Sequence, residues 1–117
     1  MKTYKLYIPQ RYQYGVNDLG VKDSKAAETA IHDCPVPLAQ VTRQLGELVN
    51  GFTITEGKGY WKGEEKTYVE AVYVIEMIAE GSVHFQDKLT LLVTQWKEDF
   101  NQEAMYYQVY ESEGILL

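Results

Sequence analysis

The amino-acid sequence predicts an α+β domain in which two helices cover one face of a four-stranded antiparallel sheet. Two segments carry apolar residues at helical spacing, and four carry the alternation or the β-branched content of strands. They follow one another as strand, helix, strand, strand, helix, strand. With 117 residues, 45% hydrophobic and 24% charged, the chain is predicted to form a single globular domain over residues 1–117.

The first strand is predicted at Tyr4–Ile8, where Pro9 ends the strand or confines it to an edge. Residues 10–36 then form a long insert. Because a connection of that length without secondary structure is uncommon in a compact domain, a short helix is predicted over Ser24–His32, with Ser24 as its N-cap.

The first main helix is predicted at Pro37–Val49. Proline suits the first helical turn, and Asn50-Gly51 supplies the stop. Four apolar residues at helical spacing form one stripe on it: Leu38, Val41, Leu45 and Leu48. This stripe is expected to face the core.

Two strands joined by a glycine-rich loop come next. The second strand is predicted at Phe52–Glu56 and the third at Thr67–Ile78, which is rich in β-branched and aromatic residues. One face of the third strand is expected to hold Val69, Ala71, Tyr73, Ile75 and Met77. Both faces are partly apolar, which predicts a central strand covered by helices on one side.

The second helix is predicted at Val83–Phe100, after Glu80-Gly81-Ser82, with Asn101 closing it. Its apolar stripe consists of Phe85, Leu89, Leu92, Val93, Trp96 and Phe100. The last strand is predicted at Ala104–Tyr110. Alternation places Ala104, Tyr106, Gln108 and Tyr110 on one face of it and Met105, Tyr107 and Val109 on the other.

These elements have the order of a ferredoxin-like βαββαβ domain, with both helices on one face of the sheet. Tyr7 and alternate members of the set Tyr106, Tyr107 and Tyr110 are expected on the other, open face, in a chain with ten tyrosines. An open face with many rings and few charges is typical of an interface. We therefore expect a homo-oligomer formed through this face.

The segment from Gly57 to Gly63 is the sharpest candidate for ligand binding. Its glycines free the backbone amides to hold an anion, Lys58 and Lys62 add positive charge, and Trp61 can stack on a base. The predicted ligand-binding residues are Gly57, Lys58, Gly59, Tyr60, Trp61 and Lys62. In the structural alternative the glycines shape a wide hairpin and Trp61 caps the end of the core, which is the favoured interpretation for Trp61.

Glu70 and Glu103 form the best acid–base pair that the sequence offers, provided that their strands are neighbours. For Glu70 a solvent-facing sheet position is the favoured alternative. His32 and His84 lie far apart and lack a third ligand, so no metal site is predicted. The single cysteine, Cys34, excludes an intrachain disulfide and is interpreted as a structural thiol. No catalytic residue and no cofactor are assigned.

Net charge and the distribution of apolar residues argue against two classes of partner. Eleven basic and 17 acidic residues give a net charge of −6, which opposes binding to nucleic acid. Residues 1–9 lack the apolar stretch of a signal peptide, and no apolar run approaches the roughly 20 residues that cross a bilayer. We therefore expect no membrane association and a cytoplasmic location.

Several short motifs lie along the chain: Gly51-Phe-Thr, Gly57-Lys-Gly-Tyr-Trp61, Glu70, Phe100-Asn-Gln-Glu103 and, in the first strand, Tyr4-Lys-Leu-Tyr7. Together they resemble a family of small bacterial proteins classed as a domain of unknown function. The resemblance implies a ferredoxin-like fold, similar in architecture to PII-type signalling proteins, which are trimers that hold nucleotides between subunits. It implies no activity, because architecture does not fix function.

Three functions are compatible with the sequence. The leading one is a small oligomeric binding protein that senses or sequesters an anionic small molecule or a nucleotide through residues 57–63. The second is an interaction or inhibitor protein from a mobile element, which would engage a host protein through its acidic surface and aromatic residues. The third is a small enzyme of the dimeric α+β barrel type that uses Glu70, Glu103 and Tyr106. The sequence leaves enzymatic activity open but favours a binding protein.

Overall fold

A four-stranded antiparallel sheet and two helices form the body of the protein. The computed structural model describes residues 1–15, 31–102 and 104–111. Within these ranges the elements are β1 (Lys2–Pro9), β2 (Arg11–Gly15), β3 (Ile31–Pro35), α1 (Leu38–Gly46), β4 (Thr53–Lys62), β5 (Thr67–Ala79), α2 (Val83–Asp99) and β6 (Tyr107–Glu111). The main sheet has the order β4-β5-β1-β6, and β2 pairs with β3 in a separate sheet. The predicted antiparallel sheet of four strands and the two main helices are confirmed.

The core lies between the sheet and the two helices. Alternation along β1 buries Tyr4, Leu6 and Ile8 on one face of the sheet. The same face of β5 buries Ile75 and Met77. Facing them are the helix residues Val41, Leu45, Phe85, Leu89, Val93 and Trp96. The predicted residues of both helical stripes lie in this core or pack against it, except Leu38, which is half-buried and lies outside the core cluster. Both helices cover the same face.

Hydrogen bonds between side chains fix the helices to each other and to the sheet. The indole Nε1 of Trp96 donates to Oε1 of Gln44, 2.7 Å away, and so joins α2 to α1. The hydroxyl of Tyr4 donates to the carbonyl oxygen of Glu80 at 2.9 Å and accepts a hydrogen bond from Gln86. Two of the largest buried rings thus have their polar atoms satisfied, as buried Tyr and Trp require.

Asn101 closes α2 in the left-handed backbone region, with φ of 49°. Asparagine tolerates this conformation better than most residues, so the predicted stop is confirmed. Its side-chain Nδ2 donates to the carbonyl oxygen of Gln13 at 2.8 Å. The end of α2 is thereby attached to the two-stranded sheet of β2 and β3.

The end of the first helix and the start of the last strand differ from their predicted positions. The first helix ends at Gly46 and not at Val49. Glycine has a low helix propensity, and after Gly46 the backbone amides of Glu47 and Leu48 donate to the carbonyls three residues earlier, those of Gln44 and Leu45, as in a tight turn. The last strand starts at Tyr107 and not at Ala104, because the pairing with β1 stops at Leu6.

The predicted short helix at Ser24–His32 falls mostly on residues 16–30, which lie outside the described residues. Its end is wrong, because Ile31 and His32 belong to β3 and pair with Gly15 and Tyr14 of β2. The ring of His32 stacks on Tyr14, with centroids 5.6 Å apart. Cross-strand pairing of this kind satisfies the backbone groups that a helix would otherwise pair internally.

The largest difference from the prediction is the length of β4. The predicted loop at residues 57–63 is wrong over residues 57–62, which continue β4 and pair one for one with β5, down to Lys62 opposite Thr67. The turn lies at Gly63–Lys66, where the amide of Gly63 donates to the carbonyl of Lys66. Gly57 and Gly59 therefore lie inside a strand, and Gly63 lies in the turn.

Beyond the end of β1, β4 and β5 continue as a two-stranded ribbon, which we call the arm (residues 58–71). Pro9 pairs with Val72, the last register pair between β1 and β5, whereas β4 and β5 pair for five more residues each. Val69 and Ala71 lie on the predicted face of β5, but they are exposed because the helices do not reach the arm.

Candidate functional site

An open groove of about 500 Å³ lies where the arm meets the open face of the sheet, the face without helices. Its residues come from β1, from the arm and the adjoining end of β5, and from the segment between α2 and β6. They are Tyr7, Pro9, Trp61, Glu70, Val72, Asn101, Gln102, Ala104, Met105 and Tyr106. The volume is in the range of small-molecule sites in proteins.

Trp61 and Glu70 form the arm side of the groove. They lie on neighbouring strands, Gly59 being the register partner of Glu70, and their side chains share the open face. The indole Nε1 of Trp61 donates to Oε1 of Glu70 at 2.7 Å. Because the acceptor is a carboxylate, this is a charge-assisted hydrogen bond that holds both side chains in place.

Gly59 provides the space over which the indole of Trp61 lies. A Cβ atom at Gly59 would stand 2.9 Å from Nε1 of Trp61 and 3.1 Å from two of its ring carbons. These distances are too short for van der Waals contact. The absence of a side chain at this position therefore permits the hydrogen bond from Trp61 to Glu70.

Aromatic and amide side chains form the opposite side of the groove. The ring centroid of Tyr106 lies 5.5 Å from that of Tyr7. It lies 6.5 Å from that of Trp61, whose ring Tyr106 meets edge to face. Met105 packs against the core and anchors this segment. Gln102 donates from its side-chain amide to the carbonyl of Phe100 at 2.8 Å, which holds the chain as it leaves α2. The groove thus has rings on both sides and a fixed wall.

Among the described residues that line the groove, Glu70 is the one that carries a charge. Its Oε1 accepts the hydrogen bond from Trp61, and among the described residues no donor engages its second oxygen. A carboxylate with a free oxygen beside aromatic rings suits a neutral or cationic ligand that carries hydroxyl or amino donors. A phosphate would meet a negative charge there.

The predicted ligand-binding residues are divided between the two faces of β4. Gly57, Gly59 and Trp61 lie on the open face, whereas Lys58, Tyr60 and Lys62 lie on the other one, since neighbouring side chains in a strand point to opposite faces. The two lysines are therefore separated from the groove. Whether either set binds a ligand stays a prediction.

The interpretation of Trp61 as a residue that caps the core is wrong. Its side chain is 39% exposed and lies on the face of the sheet opposite to the core. Tyr60, on the other face of β4, is 66% exposed. The alternation of β4 decides this point, because it directs Trp61 away from the helices.

The predicted acid–base pair is described only in part. Glu70 lines the groove, and Glu103 lies outside the described residues. Its chain neighbours Gln102 and Ala104 both line the same groove. The pair therefore stays a prediction. Tyr106, which the sequence offered for the enzymatic alternative, lines the groove beside Glu70.

The remaining candidate residues lie away from the groove. Cys34 of β3 is half-buried and pairs in register with Tyr12, where a hydrogen bond to the thiol, together with burial, raises the pKa of Tyr12 to about 12. His84 is exposed at the start of α2. Across the described ranges, no three His, Cys, Asp or Glu side chains come together as a metal site. Neither described helix is long and apolar enough to span a membrane.

Sequence reasoning missed Pro9, Val72, Met105, Asn101 and Gln102 as groove residues. The alternation of glycine with larger residues from Gly57 to Tyr60 is a signal for a strand, and continuing it to Trp61 would have separated Trp61 from the lysines. No sequence signal brings residues 101–106 to the arm. That approach depends on where β6 begins to pair.

Solved structures of a phage enzyme share the fold of this chain. A phage SAM lyase in its apo state superposes with a TM-score of 0.55 at 15% identity, covering 93% of this chain and 78% of that one. The phage SAM lyase in complex with S-methyl-5'-thioadenosine gives a TM-score of 0.55 at 16% identity, with 94% and 80% covered. At this identity the likeness is one of fold.

Comparison of the sequence itself with known proteins gives a family. No curated protein matches the chain. A family model described as "Protein of unknown function (DUF3574)" matches residues 41–113, from the middle of α1 to just beyond β6. This range holds the whole arm and most of the groove, and it spans more than half of the chain. The protein therefore belongs to the DUF3574 family of proteins of unknown function.

Proposed function

We propose that this protein is a ferredoxin-like domain that binds an adenosyl thioether or sulfonium compound in the groove on its open face. The sheet order β4-β5-β1-β6, with both helices on one face, supports the ferredoxin-like assignment, to which β2 and β3 are an addition. The observation that carries the ligand assignment is the pair of Trp61 and Glu70, facing Tyr106 across the groove.

The chemistry of the groove fits a nucleoside better than a nucleotide. A purine can stack on the rings of Trp61 or Tyr106, and the ribose hydroxyls can donate to the second oxygen of Glu70. A sulfonium cation is attracted both by the carboxylate and by the ring faces. The phage SAM lyase and its complex with S-methyl-5'-thioadenosine support this ligand class, since their fold is similar.

This proposal replaces the expected anionic ligand with a neutral or cationic one. Lys58 and Lys62 lie on the opposite face of β4, so a phosphate at Trp61 would find a carboxylate and no lysine. Binding of a small molecule, the leading function predicted from the sequence, is retained. The inhibitor alternative and self-association through the open face stay predictions.

Binding is tested by the thermal stability of the protein with four compounds: S-methyl-5'-thioadenosine, S-adenosylmethionine, adenosine and AMP. The first two are expected to raise the melting temperature by mass action, about 2.7 kcal/mol of stabilisation at 100 times Kd. AMP is expected to bind more weakly than adenosine, because its phosphate faces Glu70. Stabilisation by none of the adenosyl compounds contradicts the proposal.

Matched variants place the binding in the groove. Glu70→Gln and Trp61→Ala are expected to abolish the shift in melting temperature. Glu56→Gln and Tyr60→Ala, whose side chains lie on the opposite face of β4, are expected to retain it. If AMP instead stabilises most and Lys58→Ala with Lys62→Ala removes the effect, the anion-binding function is the correct one.

A second candidate is that the protein cleaves its ligand. The position of Glu70 favours it, since the oxygen that is not hydrogen-bonded to Trp61 can accept a proton from a compound in the groove. With S-adenosylmethionine, loss of that proton from the carbon next to the sulfur-bonded carbon of the amino-acid chain would form a C=C bond as the C–S bond breaks, giving S-methyl-5'-thioadenosine and 2-aminobut-3-enoate. Both products would be detected by liquid chromatography, and Glu70→Gln would stop their release. Binding without product formation excludes this candidate and leaves the binding proposal intact.

A further inference from the structure

The face of the arm opposite to the groove is exposed and partly apolar. Tyr60 is 66% exposed and Val69, its register partner, is 56% exposed, with Lys58 and Lys62 on either side of Tyr60 along β4. The helices do not cover these residues. A two-stranded ribbon is marginally stable alone, and an exposed apolar patch on one is typical of a contact surface.

The charge of this face indicates the kind of partner. Lys58 and Lys62 give it a charge of +2, in a chain whose net charge is −6. With these two lysines set aside, nine basic residues remain against 17 acidic ones, so the rest of the chain carries −8. Among the described residues the ion pairs are Lys2 with Glu111 and Arg11 with Asp33, and neither Lys58 nor Lys62 is in an ion pair.

A complementary surface lies on the outer side of α2. Val83 and Leu91 are 74% and 71% exposed, which is high for apolar residues in a helix, and Asp87 and Glu98 are exposed along the same side. Val83, Asp87 and Leu91 follow one another at intervals of four residues, so they form one stripe.

The spacing of charges agrees between the two surfaces. Lys58 and Lys62 are four residues apart in a strand, about 13 Å. Asp87 and Glu98 are eleven residues apart in a helix, about 16 Å. Flexible lysine side chains span the difference, and Tyr60 with Val69 then lies near Leu91, which is between Asp87 and Glu98 along α2.

We propose that the arm binds the outer side of α2 in a second copy of this chain. Lys58 and Lys62 pair with Asp87 and Glu98 of the second copy, while the apolar residues between them are buried. The two surfaces are different, so the contact is head to tail and closes into a ring when the rotation allows. Each subunit then makes two such contacts. The groove lies on the other face and stays open.

Charge reversal tests this pairing by analytical ultracentrifugation over a range of concentrations. The unaltered chain is expected to associate. Lys58→Glu with Lys62→Glu is expected to raise the dissociation constant by about tenfold or more, since like charges then face each other. Asp87→Lys with Glu98→Lys is expected to do the same. The chain with all four substitutions is expected to associate again, because both surfaces have changed sign.

Three results would overturn the proposal. One is a monomer at every concentration, and another is an association that neither charge reversal weakens. The third is a chain with four substitutions that stays dissociated although its circular dichroism shows a folded protein. Tyr110→Ser, on the open face, serves as the control and is expected to leave association unchanged. Dissociation of that variant alone would place the interface on the open face.

Discussion

Gly59 determines the position of the indole that forms one wall of the groove. It lies on the open face of β4, opposite Glu70, and Trp61 covers the space that a side chain would occupy. The same strand has Gly57 two residues earlier, where a Cβ would meet only ordinary contacts of 3.7 Å with Val72 and Val74. Two glycines on one face thus have different structural roles.

Gly59→Ala is therefore expected to displace Trp61 from Glu70, whereas Gly57→Ala leaves it in place. The chain has two tryptophans, and Trp61→Phe leaves only the emission of buried Trp96. Subtracting the spectrum of Trp61→Phe therefore gives the emission of Trp61, which reports its surroundings. Its emission is expected to move toward that of a solvated indole in Gly59→Ala alone. An unchanged spectrum in Gly59→Ala, or equal changes in both variants, would contradict this role.

Tyr12 couples the two-stranded sheet to pH at the alkaline end. The hydrogen bond to Cys34 raises the pKa of Tyr12 from 10.0 to about 12, and burial against Phe100 acts in the same direction. The folded protein therefore binds the phenol proton more tightly than the unfolded chain. The stabilisation is complete below pH 10 and is lost as the pH rises toward 12.

The free energy of unfolding of Tyr12→Phe, measured with urea, is expected to fall less steeply across this pH range than that of the unaltered protein. Cys34→Ala removes the hydrogen bond to the phenol, so the ultraviolet titration of Tyr12 is expected to shift toward 10.0. The titration is read as the difference from Tyr12→Phe. A midpoint that does not move in Cys34→Ala would assign the raised pKa to burial.

At the residue scale, the sequence singled out three residues that meet in the structure, but it grouped them with others that lie on the opposite face. Trp61, Glu70 and Gly59 were singled out, and all three meet at one wall of the groove. Lys58 and Lys62 were grouped with them because they are near in sequence. Alternation in a strand separates such neighbours, and a predicted loop hides that separation.

The N-terminus of α2 shows how one element is fixed by its first residues. Ser82 has an extended backbone, and its hydroxyl accepts a hydrogen bond from the amide of Phe85 at 3.1 Å while donating to Glu80. An N-cap of this kind satisfies an amide that has no partner within the helix.

Ser82→Ala is expected to lower the free energy of unfolding by about 1 kcal/mol, because the amide of Phe85 loses its acceptor. Ser82→Asp keeps an acceptor and is expected to retain most of the stability. Urea unfolding of the three proteins gives the comparison. Equal losses in both variants would mean that the hydrogen bond donated by Ser82 to Glu80, and not the N-cap, stabilises this end of the helix.

Element bounds were predictable where one strong local signal acts. The stop at Asn101 and the β-branched run of β5 are of this kind, and the structure agrees within a residue at each. The extent of β4 and the late start of β6 are set by partner strands. Pairing with β5 carries β4 through Gly57 and Gly59, and the loss of pairing with β1 releases residues 104–106.

At the scale of the whole molecule, one side of α2 faces the core and the other side faces solvent. Leu89 is fully buried among the sheet residues, and Leu91, two positions later, is exposed. Both are leucines in the same helix, so they form a matched pair. Comparing them shows which side of α2 is packed against the rest of its own chain.

Leu89→Ala is expected to cost about 2–5 kcal/mol of unfolding free energy, because it removes buried methyl groups and leaves a cavity. Leu91→Ala is expected to change the stability of the dilute protein by no more than about 0.5 kcal/mol. Urea unfolding at low concentration compares them. A large loss in Leu91→Ala would mean that this side of α2 is buried within its own chain.

The order of elements and the covered face followed from the sequence because both depend on apolar periodicity. Leu45, Leu89 and Ile75 belong to the core and were predicted there from the periodicity of apolar residues alone. The groove did not follow, because it requires Trp61 of β4, Tyr7 of β1 and Tyr106 of the segment before β6 to meet. Such a meeting depends on register and on the path from α2 to β6.

The alternation of β4 has a consequence for how this stretch can change. A substitution at Tyr60 or Trp61 alters one surface and leaves the other intact. The insertion or deletion of one residue before Trp61 would instead turn the indole toward the arm face and a neighbouring side chain toward the groove. In this part of the family, a constant spacing from the turn should therefore be a stricter requirement than the identity of any single residue.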